Sequence, residues 1–189
     1  MPQGTAAYMK KIIASMLALL GLGAQATPEV PANQSVINGM RTMALNLKAE
    51  EIGLTPENFP NEVFGVLMET GFENGSFTLL VMADGTTSLY FSNGGGIIGT
   101  GTHENVKKAS SMLLSGANHF RPQTKSTSSF PYPSNGEVKF YFIGRSGVTT
   151  YSAKEVDLGE NRDPLSELFH VSHMVISELR KIEESRHNK

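Results

Sequence analysis

The sequence predicts an α+β domain, a mostly antiparallel sheet of about five strands packed by two main helices. Three observations predict it. Runs of apolar and β-branched residues succeed one another with Asn74-Gly75 and Asp84-Gly85 between them, dipeptides that take the positive φ angles of tight hairpins. A second pair of such runs flanks Gly144-Arg145-Ser146-Gly147. A long apolar stripe at helical spacing then closes the chain.

Element by element, Gly39 to Glu51 has apolar residues at Met40, Met43, Ala44 and Leu47, the spacing of a short amphipathic helix that stops before Gly53 and Pro56. The stretch from Thr55 to Asn61 contains two prolines and is a loop. Val63 to Met68, Phe77 to Met82 and Thr86 to Phe91 form a three-strand meander. A Gly-rich turn, Ser92 to Thr102, leads into a helix from about His103 to Phe120, with Thr102 as the predicted N-cap. Arg121 to Asn135, rich in Pro and Ser, reads as an exposed connector. Glu137 to Ile143 and Gly147 to Ser152 make the second hairpin. Asp163 and Pro164 then open a final helix whose stripe runs through Leu165, Leu168, Phe169, Ser172, Val175, Ile176, Leu179 and Ile182.

Composition bounds what such a domain does. With 189 residues, 39% hydrophobic and 18% charged, one well-buried core is expected. A net charge of −2 supplies no positive field to gather phosphate backbones, so nucleic acid is not an expected partner. The chain has no cysteine, which removes disulfides, thiolate metal sites, iron–sulfur clusters and cysteine nucleophiles together.

The N-terminus has its own signature. Lys10 and Lys11, the apolar stretch Ile12 to Leu22, and Ala24-Gln25-Ala26 read as a secretory signal with its cleavage site. Residues 1–26 are therefore expected to be a signal peptide with an upstream extension, translation starting at Met1 or Met9, and residues 27–189 the single domain. The apolar run is shorter than the about 20 residues a permanent membrane span requires, so no stable transmembrane anchor is expected. The expected location is periplasmic or secreted. The alternatives are an apolar N-terminal helix that stays attached and packs on the domain or rests on a membrane surface, and a cytoplasmic location.

The order of elements resembles the sheet-and-helices layout of the roadblock, longin and profilin group of domains, a likeness of topology alone. Val63-Phe64-Gly65-Val66-Leu67-Met68-Glu69-Thr70-Gly71, together with Ala83-Asp84-Gly85-Thr86-Thr87-Ser88-Leu89-Tyr90-Phe91-Ser92-Asn93-Gly94-Gly95-Gly96-Ile97-Ile98-Gly99, is similar to a set of uncharacterised bacterial proteins of about this size. That resemblance implies no assigned activity. Its members look cytoplasmic with a short variable N-terminus, which competes with the export reading.

Residues that match chemical motifs here also ordinarily build turns and cores. Gly94-Gly95-Gly96-Ile97-Ile98-Gly99 matches the G-x-G-x-x-G string of dinucleotide folds, but an antiparallel hairpin precedes it and no acidic residue stands about 20 positions downstream. A milder version keeps Asn93, Gly94, Gly95, Gly96, Thr100, Gly101, Thr102 and His103 as candidate residues for a small ligand or anion at a helix start. His170 and His173 are predicted to lie on a solvated face rather than to bind metal. Glu69, Asp84 and Arg145 are predicted to be solvated residues beside turns, and no G-x-S-x-G elbow is present.

With no catalytic, metal or cofactor site singled out, the expected function is a small non-enzymatic binding or assembly module. Its expected partner is a protein, or a second copy met through a sheet edge or face. The alternative is a ligand-binding protein or enzyme using the turn at residues 92–103.

Overall fold

The structure, a computed structural model, describes residues 32–187. The expected leader at 1–26 lies outside the described residues. In chain order the elements are α1 (Ala32–Asn46), a 3-10 turn (Ala49–Ile52), β1 (Val63–Phe72), β2 (Gly75–Met82), β3 (Thr87–Phe91), β4 (Gly96–Ile98), α2 (Glu104–Phe120), β5 (Lys125–Ser126), β6 (Glu137–Gly144), β7 (Gly147–Lys154), α3 (Glu155–Gly159) and α4 (Ser166–His187).

The strands form one seven-stranded sheet in the order β4-β3-β2-β1-β6-β7-β5, and every neighbouring pair is antiparallel. The α+β class is as predicted, whereas the count of about five strands falls short. The two extra strands, of 3 and 2 residues, are the outermost ones, and short edge strands leave little hydrophobic periodicity to read. β1 sits at the centre, with Leu67 opposite Leu80 on one side and Tyr141 on the other.

Both faces of the sheet are covered, which explains why β1 is buried along nearly its whole length instead of alternating. On one face Val66, Met68, Leu79, Leu89, Phe140 and Phe142 pack under α2 and α4. On the other, Phe64, Leu67, Leu80, Met82, Tyr90, Tyr141 and Ile143 pack under Ile37, Ala44 and Leu45 of α1 and Ile52 of the 3-10 turn. Two covering helices were predicted. The third, α1, begins before the predicted Gly39, and its polar sequence hides its role, since few of its described side chains are fully buried. It ends at Asn46 because Glu51 Oε2 accepts the Lys48 N–H at 2.7 Å to start a separate turn, which Gly53 closes at φ 75°.

Two further boundaries differ from the prediction. His103, not Thr102, occupies the N-cap of α2, and its side chain makes no capping bond. Helix α4 begins at Ser166, after a turn in which Asp163 Oδ1 accepts the Leu165 N–H at 2.8 Å.

The segment 127–136 is largely exposed, as its composition predicts, but it does not run free of the domain. It is a strap laid on the α1 face: Pro133 is buried, the Phe130 ring meets the Tyr141 ring edge-on at 5.7 Å, and the Tyr141 hydroxyl donates to Pro131 O at 2.7 Å. An isolated parallel bridge from Gly71 to Asn135 ties it to β1. The contact requires glycine, because a Cβ on Gly71 would lie 2.1 Å from Ser134 O. A Cβ on Gly101 would likewise lie 1.7 Å from Gly85 O, where the entry to α2 presses on the β2–β3 turn. Both obstructions are backbone atoms that cannot swing aside. Gly71→Ala and Gly101→Ala are therefore each expected to lower stability by about 1–3 kcal/mol, read as a lower urea midpoint, whereas Gly116→Ala, which meets only the flexible tip of Leu168, should cost less.

Candidate functional site

The Gly-rich segment singled out in the sequence is a hairpin and an edge strand. Phe91 N–H donates to Gly95 O at 3.2 Å and Gly94 N–H to Phe91 O at 3.0 Å, a tight turn that needs the positive φ angles of Gly94 (107°) and Gly95 (83°). Asn93 lies exposed at the tip. Gly96, Ile97 and Ile98 then pair with Tyr90, Leu89 and Ser88 as β4. Thr100 and Gly101 are buried where the chain passes the β2–β3 turn, while Thr102 and His103 are exposed. The eight candidate residues thus run from the hairpin tip through β4 to the start of α2. The start of α2 also carries Glu104 in its first turn, an acid already placed to meet the helix dipole, which weakens the case for an external anion.

This edge differs from the opposite one. No charged residue stands between Asp84 and His103, β4 contains no proline, and Ile98 is 50% exposed. At the far side, β5 begins with exposed Lys125 and pairs with only Thr149 and Thr150, β7 ends at Lys154, and the chain turns at once into α3. Lysines, brevity and covering segments are the usual guards of a sheet edge. The β4 edge has brevity alone.

The chemically richest group lies inside the protein. Glu69, predicted to be solvated, is fully buried in β1. Arg41 of α1 grips it in a fork: Nε to Oε1 at 2.6 Å and Nη2 to Oε2 at 2.7 Å. The Thr78 hydroxyl donates to Oε1 at 2.9 Å. Above the guanidinium lie the rings of Tyr132 from the strap, 4.1 Å from Cζ, and Tyr141, 5.6 Å away. Burial opposes the charge on Arg41, yet the bonds and charge of Glu69 outweigh it and raise its pKa. Burial, with Glu69 adding, pushes the Tyr141 hydroxyl up to about 12, and burial raises Tyr90 further still. These shifts on Arg41, Tyr141 and Tyr90 favour the protonation states those three groups already hold at neutral pH. A single carboxylate within the apolar run Val63 to Met68 and beyond was the available signal. Its partner, 28 residues upstream, left none.

The remaining candidates make contacts within the fold. Asp84 accepts from Thr86 N–H at 2.9 Å within its turn. Arg145 is not a free tip residue, since it donates to Phe59 O at 2.9 Å and pairs with Glu50 at 3.6 Å. It lines an open groove of about 410 Å³ together with Leu45, Lys48, Phe130, Ile143 and Val148, away from the Gly-rich edge. His170 and His173 do not share a solvated face. His170 is exposed and its Nε2 meets Asn161 Oδ1 at 3.0 Å, whereas His173 lies against the Phe169 ring at 4.4 Å and the Phe77 ring at 6.4 Å. Among the described residues no group of three or more His, Cys, Asp or Glu is placed to hold a metal ion. No helix among them is long and apolar enough to cross a membrane.

Removing Arg41 alone strands a buried carboxylate. Arg41→Ala is expected to cost about 3–5 kcal/mol in urea unfolding, while the double variant Arg41→Met/Glu69→Leu should recover most of that loss. His173 supplies a second test. Burial, then the charges of His170 and Arg180, lower its pKa, so the folded protein holds it neutral while the unfolded chain takes up a proton at an ordinary pKa near 6.5. Stability should therefore fall as pH drops through about 6.5 and level off below the folded-state value. The His173→Leu variant should lose that part of the slope in the same titration.

Comparison with protein-family models, curated proteins and solved structures found no match to this chain.

Proposed function

We propose that this domain is a small non-enzymatic binding or assembly module that works through its β4 edge. The observation that carries the reading is the contrast between the two sides of the sheet: Gly96–Ile98 presents an uncharged, half-exposed apolar strand, whereas the opposite edge is guarded by Lys125, Lys154 and the turn into α3. Both faces of the sheet are occupied by the chain's own helices and strap, which leaves an edge as the natural place for another strand to add.

The likeness in element order to roadblock, longin and profilin domains belongs with this reading as a likeness of layout, in which helices brace a sheet whose rim is free. So does the resemblance to uncharacterised bacterial proteins, several of whose shared residues fall in the β3–β4 hairpin. The leader expected at 1–26 would deliver such a module outside the cytoplasm.

The test is a photo-crosslinking side chain placed at Ile98 and, separately, at Ser126 on the other edge of the full chain, in cells. Adducts should form from position 98, with attachment sites mapping to an extended segment of the partner, and not from position 126. Equal yields at the two positions, or no adduct from 98, would overturn the reading.

A further inference from the structure

Resting on that reading of the edge, we infer that the strand it accepts is the β4 of a second copy of this chain, paired antiparallel about a two-fold axis at Ile97. Backbone alternation comes first. Phe91 and Gly95 exchange a bond across the β3–β4 hairpin, so in the pairs that follow the polar backbone groups of Ile97 face Leu89, and those of Gly96 and Ile98 point away from the sheet. A two-fold axis through Ile97 sets Gly96 opposite Ile98 of the partner copy, and Ile98 opposite the partner's Gly96. Each of these pairs then exchanges both of its free backbone bonds, with no register slip.

Side chains fit the same axis. Ile97 packs toward the α2 and α4 face, so Gly96 and Ile98 share the other face. The exposed Ile98 side chain of each copy therefore lies over a glycine, where nothing obstructs it, and covers the backbone that the glycine leaves bare. Glycine at 96 is already required by the protomer, since a Cβ there would lie 2.4 Å from Leu89 O. The gap that receives Ile98 is thus built in.

Charge favours a copy over a foreign strand. A two-fold pairing brings every charge near the axis against itself, and like charges directly opposite are destabilising. The segment from Thr86 to Thr102 has none. Nor does it offer a charged side chain by which an unrelated strand would be selected. A three-residue pair buries far less than the about 1,200 Å² of a standard interface, so the association is reversible and dependent on concentration.

The experiment is sedimentation of the full chain over about a hundredfold range of concentration, where mass action resolves a weak dimer. The native protein should shift from monomer to dimer across that range. Ile98→Lys, at a side chain already half exposed in the protomer, should stay monomeric with an unchanged thermal midpoint. Because the chain has no cysteine of its own, Ile97→Cys should form a covalent dimer under mild oxidation, as cross-strand neighbours on the axis do, while Ser126→Cys should not. A native protein that remains monomeric throughout, or an Ile98→Lys protein that still dimerises, overturns the inference. Monomeric protein with crosslinks from position 98 to other proteins would overturn self-pairing and leave the edge reading standing, whereas the absence of any adduct would remove both.

Discussion

A carboxylate at the centre of a strand with protein on both sides has to be neutralised from within, and Glu69 is such a group. The need is met by Arg41, which reaches the sheet from α1, and the guanidinium is in turn enclosed by Tyr132 from the strap and Tyr141 from β6. One ionic contact therefore joins four parts of the chain that are distant in sequence. Its net contribution to stability is modest, since desolvation offsets much of the attraction. Its geometric effect is to tie α1 and, through Tyr132, the strap to one position on β1.

That arrangement explains why the second face of the sheet is closed. A five-strand core with helices on one side would leave Leu67, Leu80, Tyr90 and Tyr141 open to water or to a partner. Here α1, the 3-10 turn and the strap cover them, with Tyr141 bonded to Pro131 O and Gly71 letting the strap approach β1. With both faces of the sheet covered, its two rims stay open, and they are unlike. Lys125 and Lys154 guard one side. On the other, glycines that the hairpin needs for its positive φ angles also leave Ile98 standing clear of neighbouring side chains. The segment 92–103 thus has a mechanical reason to be glycine-rich, and under the proposed function the same reason makes it a place for another strand to lie.

The sequence by itself determined the parts of this protein whose signals are local. Asn74-Gly75 and Asp84-Gly85 mark the two turns of the antiparallel meander, although only their glycines take positive φ and Gly75 already pairs with Phe72, so the sequence located the turns but not their exact geometry. The stripe from Leu165 to Ile182 specified α4 because its seven apolar side chains fall on one face at helical spacing. The tertiary structure alone decided what depends on residues far apart. The strap looks like a linker because its prolines and serines give no periodicity, yet Gly71, more than 50 positions away, holds it on the sheet. Glu69 and Arg145 look like surface charges because charge predicts solvent until a partner is known, and the partners Arg41 and Phe59 O belong to other elements. The open edge, too, became visible only once strand order was known, since whether a strand is central or outermost is set by pairing and not by its own residues.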